Sequence, residues 1–149
     1  MSFFIDTITS KIVVSVISAY LISSLIKMFF NFLRTDKCDL MVFLRTGGMP
    51  SSHTASVTAM STSIYLLEGA SNLFIVCLIV SIIVISDAVG LRRAMGKQAE
   101  VVNKIADEFK YFKKFRTKRL YELLGHTPKQ VLAGLVLGIL IARFVYTLY

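Results

Sequence analysis

The chain has 149 residues, 55% of them hydrophobic, and a formal net charge of +8 at neutral pH. That length fits one domain, and a soluble domain of this size would not gather its apolar residues in runs of about twenty. Nucleic-acid binding is not indicated, because no recognisable motif accompanies the basic residues. Cys38 in a polar loop and Cys77 in an apolar run have no spaced partner, so neither a disulfide nor a zinc site is expected.

Ile12 to Leu33 is the first apolar run. It is too long for a signal peptide and has no small-residue cleavage site leading into a soluble domain, so it reads as a membrane span. It ends near Arg34, where the polar stretch from Arg34 to Asp39 interrupts the pattern, and the loop runs on to Gly47, Gly48 and Pro50. Proline is tolerated in a first helical turn and serine caps the free amides there, so a second helix is expected to start between Pro50 and Ser52. Its apolar part, Thr54 to Leu67, reaches spanning length once the uncharged residues from Ser51 are included. The third run, Leu73 to Leu91, predicts a helix that begins after Asn72 and ends near Gly90.

Lys97 to Leu124 reads as amphipathic. Val102, Ile105, Ala106, Phe109 and Phe112 recur at three- and four-residue spacing with lysines and acids between them. A helix lying along the membrane interface, basic face toward anionic headgroups, and a helical hairpin packed on the bundle both fit that pattern. Gly125-His126-Thr127-Pro128 then repeats the glycine, hydroxyl and proline of a helix start, and the fourth run follows from Val131 to Tyr149. The fold class is all-α: a membrane bundle of about four transmembrane helices plus an amphipathic cytoplasmic helix, forming one domain over residues 1–149.

Charge sets the orientation. Between Arg92 and Arg119 ten lysines and arginines stand against three acids, and the first loop adds Arg34, Lys37 and Arg45. Leu67 to Leu73, by contrast, holds only Glu68. The positive-inside rule places the first and third loops in the cytoplasm and both termini outside. Most of these cations read as solvated, topology-setting residues.

In that topology the second and fourth helices both start at the cytoplasmic face. A helix N-terminus offers unpaired N–H groups and about half a positive charge, which suits an anion. Two such ends can converge there, and each carries a histidine in or beside its first turn, His53 and His126. Gly47 and Gly48 let backbone amides approach a ligand closely. Lys27 and Arg34 are seven residues apart on one helical face, and Lys27, roughly 10 Å inside the end of its helix, either snorkels or points at an anion within the bundle. Asp87 stands near the cytoplasmic end of the third helix with Arg92 and Arg93 just beyond, an arrangement that fits an internal ion pair or a buried acid for the site. The cations and helix ends suit a tetrahedral oxyanion, and the histidines suit phosphoryl transfer, one as nucleophile and one as general acid. No carboxylate cluster suits magnesium, so the expected route uses no metal and no cofactor.

Lys27, six residues, Arg34; then Pro50-Ser51-Ser52-His53; then His126 at the head of the last helix: this set resembles the three-motif signature of the type 2 phosphatidic acid phosphatase superfamily. "GGMPSSHTA", "SDAVGLRRAMGKQAEVVNK" and "ELLGHTPKQV" resemble, more specifically, its divergent branch of integral membrane proteins named as acid phosphatase/vanadium-dependent haloperoxidase-related. The resemblance covers nearly the whole chain. It implies that His126 attacks phosphorus to form a phosphohistidine, and that His53 protonates the leaving oxygen and then activates water. It also implies that Lys27, Arg34 and the Ser51 and Ser52 amides bind phosphate oxygens. Four positions differ from the signature: Thr35 replaces the first-motif proline, Ser52 the second-motif glycine, Leu120 the third-motif arginine and Gln130 the acid four residues after the nucleophile. Arg92 or Arg93 could supply the missing cation, and Asp87 the missing carboxylate.

The expected activity is removal of phosphate from a membrane lipid phosphate or pyrophosphate at the cytoplasmic face, with vanadate acting as a phosphate-mimicking inhibitor. The larger lipid phosphatases have six spans and this chain resembles their last four, so a homodimer would supply the missing packing. Two other classes stay open. One is a phospholipid- or anion-binding protein without turnover. The other is a small lipid or ion transporter with Lys27 and Asp87 lining a path, although broken helices and inverted halves, which would mark it, are not evident. A vanadate-using peroxidase finds no signal for a peroxide site.

Overall fold

The computed structural model describes residues 10–36, 48–110, 120 and 125–148. They form five helices: α1 (Lys11–Thr35), α2 (Ser52–Glu68), α3 (Asn72–Val89), α4 (Leu91–Lys110) and α5 (Pro128–Leu148), with no strand among the described residues. The first three starts share one device. Ser10, Ser51 and Ser71 sit in extended geometry, and each side chain accepts the amide three residues on, from Val13, Thr54 and Phe74.

Three stretches are long and apolar enough to cross a membrane: Lys11–Thr35, Asn72–Glu108, whose apolar part is α3, and Pro128–Leu148. Helix α2 differs. It is 17 residues long and rich in serine and threonine, and it packs against α1, α3 and α5 together. Enclosure by its neighbours lets a shorter, more polar helix share the bundle with three apolar ones, because its hydroxyls face protein rather than lipid.

Packing here runs on small residues. Gly134 and Gly138 of α5 lie directly on α2. A Cβ at Gly134 would stand 2.6 Å from the Ser51 carbonyl oxygen, and one at Gly138 would stand 2.9 Å from the Thr58 Cβ. The two contacts advance in step along both chains, so α2 and α5 run parallel and start at the same face. Ala19, Ala55, Ala59 and Ala142, with Ile141 and Val145, form the buried centre. In lipid, apolar surface gains little by hiding from other apolar surface, and close backbone approach over small side chains is what holds helices together. The large apolar side chains accordingly point outward: Leu25, Phe29, Ile79, Ile83, Leu132 and Phe144 are all exposed.

Hydroxyls bridge the interior. Ser81 of α3 lies 2.8 Å from Ser61 of α2 and within hydrogen-bond reach of the Val57 and Cys77 carbonyls. At the far end of the bundle Lys11 Nζ sits 4.7 Å from the Tyr146 ring centre, tying the start of α1 to the end of α5.

Helix α4 starts at Leu91, earlier than the amphipathic stretch expected from Lys97, because the chain breaks for a single residue, Gly90, and resumes helix at once. It is three-sided. Gly96, Ala99 and Asn103 are buried; Leu91, Met95, Val102 and Ile105 are apolar and exposed; Lys97, Glu100 and Lys104 are charged and exposed. Residues 111–119 and 121–124 of the expected stretch lie outside the described residues.

Candidate active site

The start of α5 is a reciprocal cap. Thr127 Oγ1 accepts the Gln130 amide at 3.4 Å, and Gln130 Oε1 accepts the Thr127 amide at 2.9 Å. This is the Thr-x-x-Gln form of the capping box, which satisfies two amides that a helix start leaves open. The Thr127 N–H can only donate, so the atom it meets on Gln130 is the carbonyl oxygen. That same oxygen lies 3.3 Å from His126 Nδ1. An oxygen can only accept, so Nδ1 carries the proton and Nε2 carries the lone pair. The tautomer is thus set by the helix cap.

His126 is held on three further sides. Its amide donates to the Ala88 carbonyl at the end of α3, at 2.9 Å. Gly125 before it has φ +88°, a conformation that favours glycine, and a Cβ there would fall on the Arg92–Arg93 backbone. The residue itself is 3% exposed, and Nε2 is buried with no hydrogen-bond partner among the described residues. Burial keeps the imidazole below the usual histidine range. The Gln130 contact pulls it up, the nearby Lys27 and His53 charges push it down, and the Gly48 carbonyl pulls it up again.

His126 shares a small cleft with His53, Val84, Asp87, Ala88, Gly125 and Arg92. The start of α2 supplies His53, and its neighbour Ser51 ties α2 to α5: the Ser51 amide donates to the Gln130 carbonyl at 3.1 Å. The two parallel helix starts therefore meet, as the sequence reading expects of two converging N-termini. Lys27 of α1 is buried beside them and donates from Nζ to Ser52 Oγ at 3.4 Å. Gly48, with φ +84°, lies against the Lys27 stem; a Cβ there would stand 2.9 Å from the Lys27 Cγ.

The structure thus brings His126, His53, Asp87 and Arg92 to one cleft, with Lys27, Gly48, Ser51 and Ser52 alongside. Asp87 accepts from Arg92 Nε in an ion pair, and Gln130 occupies His126 Nδ1. Arg34 is exposed in the last turn of α1 and does not line the cleft. Arg93 contributes backbone under Gly125, and its side chain is not on the cleft wall. Gly47 lies outside the described residues.

One support, Asn103, was not evident from sequence. Asn103 is buried and clamps the Leu120 backbone from both sides, Nδ2 donating to the carbonyl at 2.8 Å and Oδ1 accepting the amide at 2.9 Å. It fixes the chain five residues before Gly125, and its sequence position carries no signal for a partner seventeen residues away. Gln130 as an imidazole holder was visible in the Thr-x-x-Gln spacing, which marks a capping box.

The profile of the Divergent PAP2 family matches residues 8–141. The chain is 38% identical over 148 residues to the uncharacterized membrane protein YuiD of Bacillus subtilis (strain 168), a match that covers 91% of this chain and 94% of that protein. No solved structure matches the chain.

Proposed function

The chain belongs to the Divergent PAP2 family, and from that premise we propose that this membrane protein is a metal-independent phosphatase acting on a lipid phosphate or pyrophosphate. The observation that carries the reading is His126: Nδ1 faces the Gln130 carbonyl oxygen, and Nε2, near the Gly48 carbonyl, is buried without a hydrogen-bond partner among the described residues, in a cleft shared with a second histidine.

The chemistry follows from those positions. Nε2 of His126 attacks phosphorus as the bond to the leaving oxygen breaks, and His53, protonated, gives its proton to that oxygen. Water then attacks the phosphohistidine, His53 takes the water proton, the P–N bond breaks and inorganic phosphate leaves. Lys27, the two helix starts and Arg92 carry the phosphate charge. Gln130 keeps the ring in the reactive tautomer without adding a negative charge. A phosphate oxygen competes with Asp87 for Arg92, which lines the cleft beside His126.

The test is phosphate release by the detergent-purified protein in EDTA over a panel of lipid phosphates and pyrophosphates, beside His126→Ala and His53→Ala. Turnover that survives chelation, is inhibited by vanadate and falls by at least ~10²-fold in each variant is the expected result. A second reading, a phosphate-binding protein without turnover, is favoured by the burial of Nε2 and the lack of a carboxylate on Nδ1. It takes over if no lipid is cleaved while phosphate or vanadate still raises the melting temperature of the unmutated protein alone.

A further inference from the structure

A long groove runs between α3 and α5 with α2 as its floor. Thr58, Tyr65, Leu78, Ile82 and Ile139 line it, and Arg143 stands at its far end. Along α3 it extends from Phe74 to Ile85, roughly 16 Å of helix. That is more than half of a ~30 Å hydrocarbon layer. Two of the floor hydroxyls are already partnered: Ser61 and Ser81 bond each other, and Ser81 reaches the Val57 and Cys77 carbonyls. At this depth no water is available, so the groove is filled by hydrocarbon or by another helix. A helix packs closely over small residues, whereas this wall is built from leucine, isoleucine, phenylalanine and tyrosine. A flexible acyl chain fits it better.

Arg143 supplies the second observation. It is exposed, lies five residues before the end of α5 and so roughly 7 Å inside it, and no carboxylate among the described residues pairs with it. A cation at that depth reaches for the headgroup level, where the available anion is lipid phosphate. His126 precedes the first turn of α5 and Arg143 stands near its last, so the two lie at opposite membrane faces.

We propose that this groove binds one anionic phospholipid from the leaflet opposite the histidine cleft, with its phosphate on the Arg143 guanidinium and an acyl chain along Leu78, Ile82 and Ile139. The site is separate from the cleft and does not depend on phosphatase activity.

Native mass spectrometry of the purified protein, released from detergent containing equal phosphatidylglycerol and phosphatidylcholine, tests this. The unmutated protein is expected to retain one phosphatidylglycerol with at least tenfold preference. Arg143→Gln loses the preference, Arg143→Lys keeps most of it, and Ile139→Trp, which fills the groove, loses retention of either lipid. His126→Ala retains the lipid as the unmutated protein does. Melting temperatures without added lipid identify any variant that has lost its fold, and the comparison is made between folded variants. Equal retention of both lipids, full preference in Arg143→Gln, or loss in His126→Ala would overturn the proposal, the last by placing the lipid at the cleft. A protein dimer that excludes lipid would overturn it by giving the groove to a second copy.

Discussion

Beside His126 a glutamine stands where the superfamily signature that the chain resembles has an acid, and burial with that glutamine favours a neutral ring. Burial depresses its basicity, and Gln130 offers a dipole in place of a charge. The folded protein therefore resists protonating this imidazole more than the unfolded chain does. Its contribution to stability is complete above the ordinary histidine value and is lost as pH falls from there toward the depressed folded value. Melting temperature in detergent should accordingly drop as pH falls below the ordinary histidine value of about 6.5. Gln130→Glu keeps the cap on Thr127 and adds a negative charge beside Nδ1, which raises the folded pKa. The drop should shrink in that variant. A drop unchanged by Gln130→Glu would show that His126 does not cause it. At this scale much was legible: Lys27, His53 and His126 are read from the helix ends and Ser52 from the family resemblance, and the four arrive at one place. The Asp87–Arg92 pair was one of two open readings, because only the fold decides whether a carboxylate meets an arginine or an imidazole.

Between elements, the site depends on how closely α2 and α5 lie. The Gly134-x-x-x-Gly138 spacing is visible in the sequence, but a small-residue pair does not name its partner helix; that needs the topology. The same limit hid the Asn103 clamp, which joins residues distant in the chain. The start of α4 at Leu91 was hidden for a different reason, since a one-residue break at Gly90 leaves no polar gap to read. Gly138→Ala tests the close approach. Its Cβ would meet the Ala55 carbonyl oxygen at 2.5 Å, backbone that has no rotamer to yield. A loss of about 1–3 kcal/mol is expected, read by thermal or denaturant unfolding. Trimming the exposed Val136 to alanine should cost under ~0.5 kcal/mol. Equal effects from the two substitutions would mean that the α2–α5 contact does not limit stability.

For the whole molecule, the helices fix which features share a face, and the cytoplasmic placement of that face expected from charge bias is open to a labelling test. The histidine cleft, the end of α1 and the end of α3 lie together, with the Glu68 loop and the end of α5 opposite. Ala70 is exposed in that loop, so Ala70→Cys should react with a membrane-impermeant maleimide in intact cells, in a background with Cys38 and Cys77 replaced. Labelling only after the membrane is opened would reverse the orientation and put the cleft outside. The three apolar helices were plain from hydropathy. The character of α2 was not, because a hydroxyl-rich run of marginal length becomes an enclosed central helix only when neighbours surround it.

In the proposed mechanism Nε2 of His126 takes the phosphoryl group. The direct measurement is to mix the purified protein with a ³²P-labelled lipid phosphate, quench in alkali, where phosphohistidine survives, and map the labelled peptide. Label on the peptide that contains His126, lost on mild acid treatment and absent from His126→Ala, is the predicted result. Turnover with no label at His126, or undiminished turnover in His126→Ala, would contradict it.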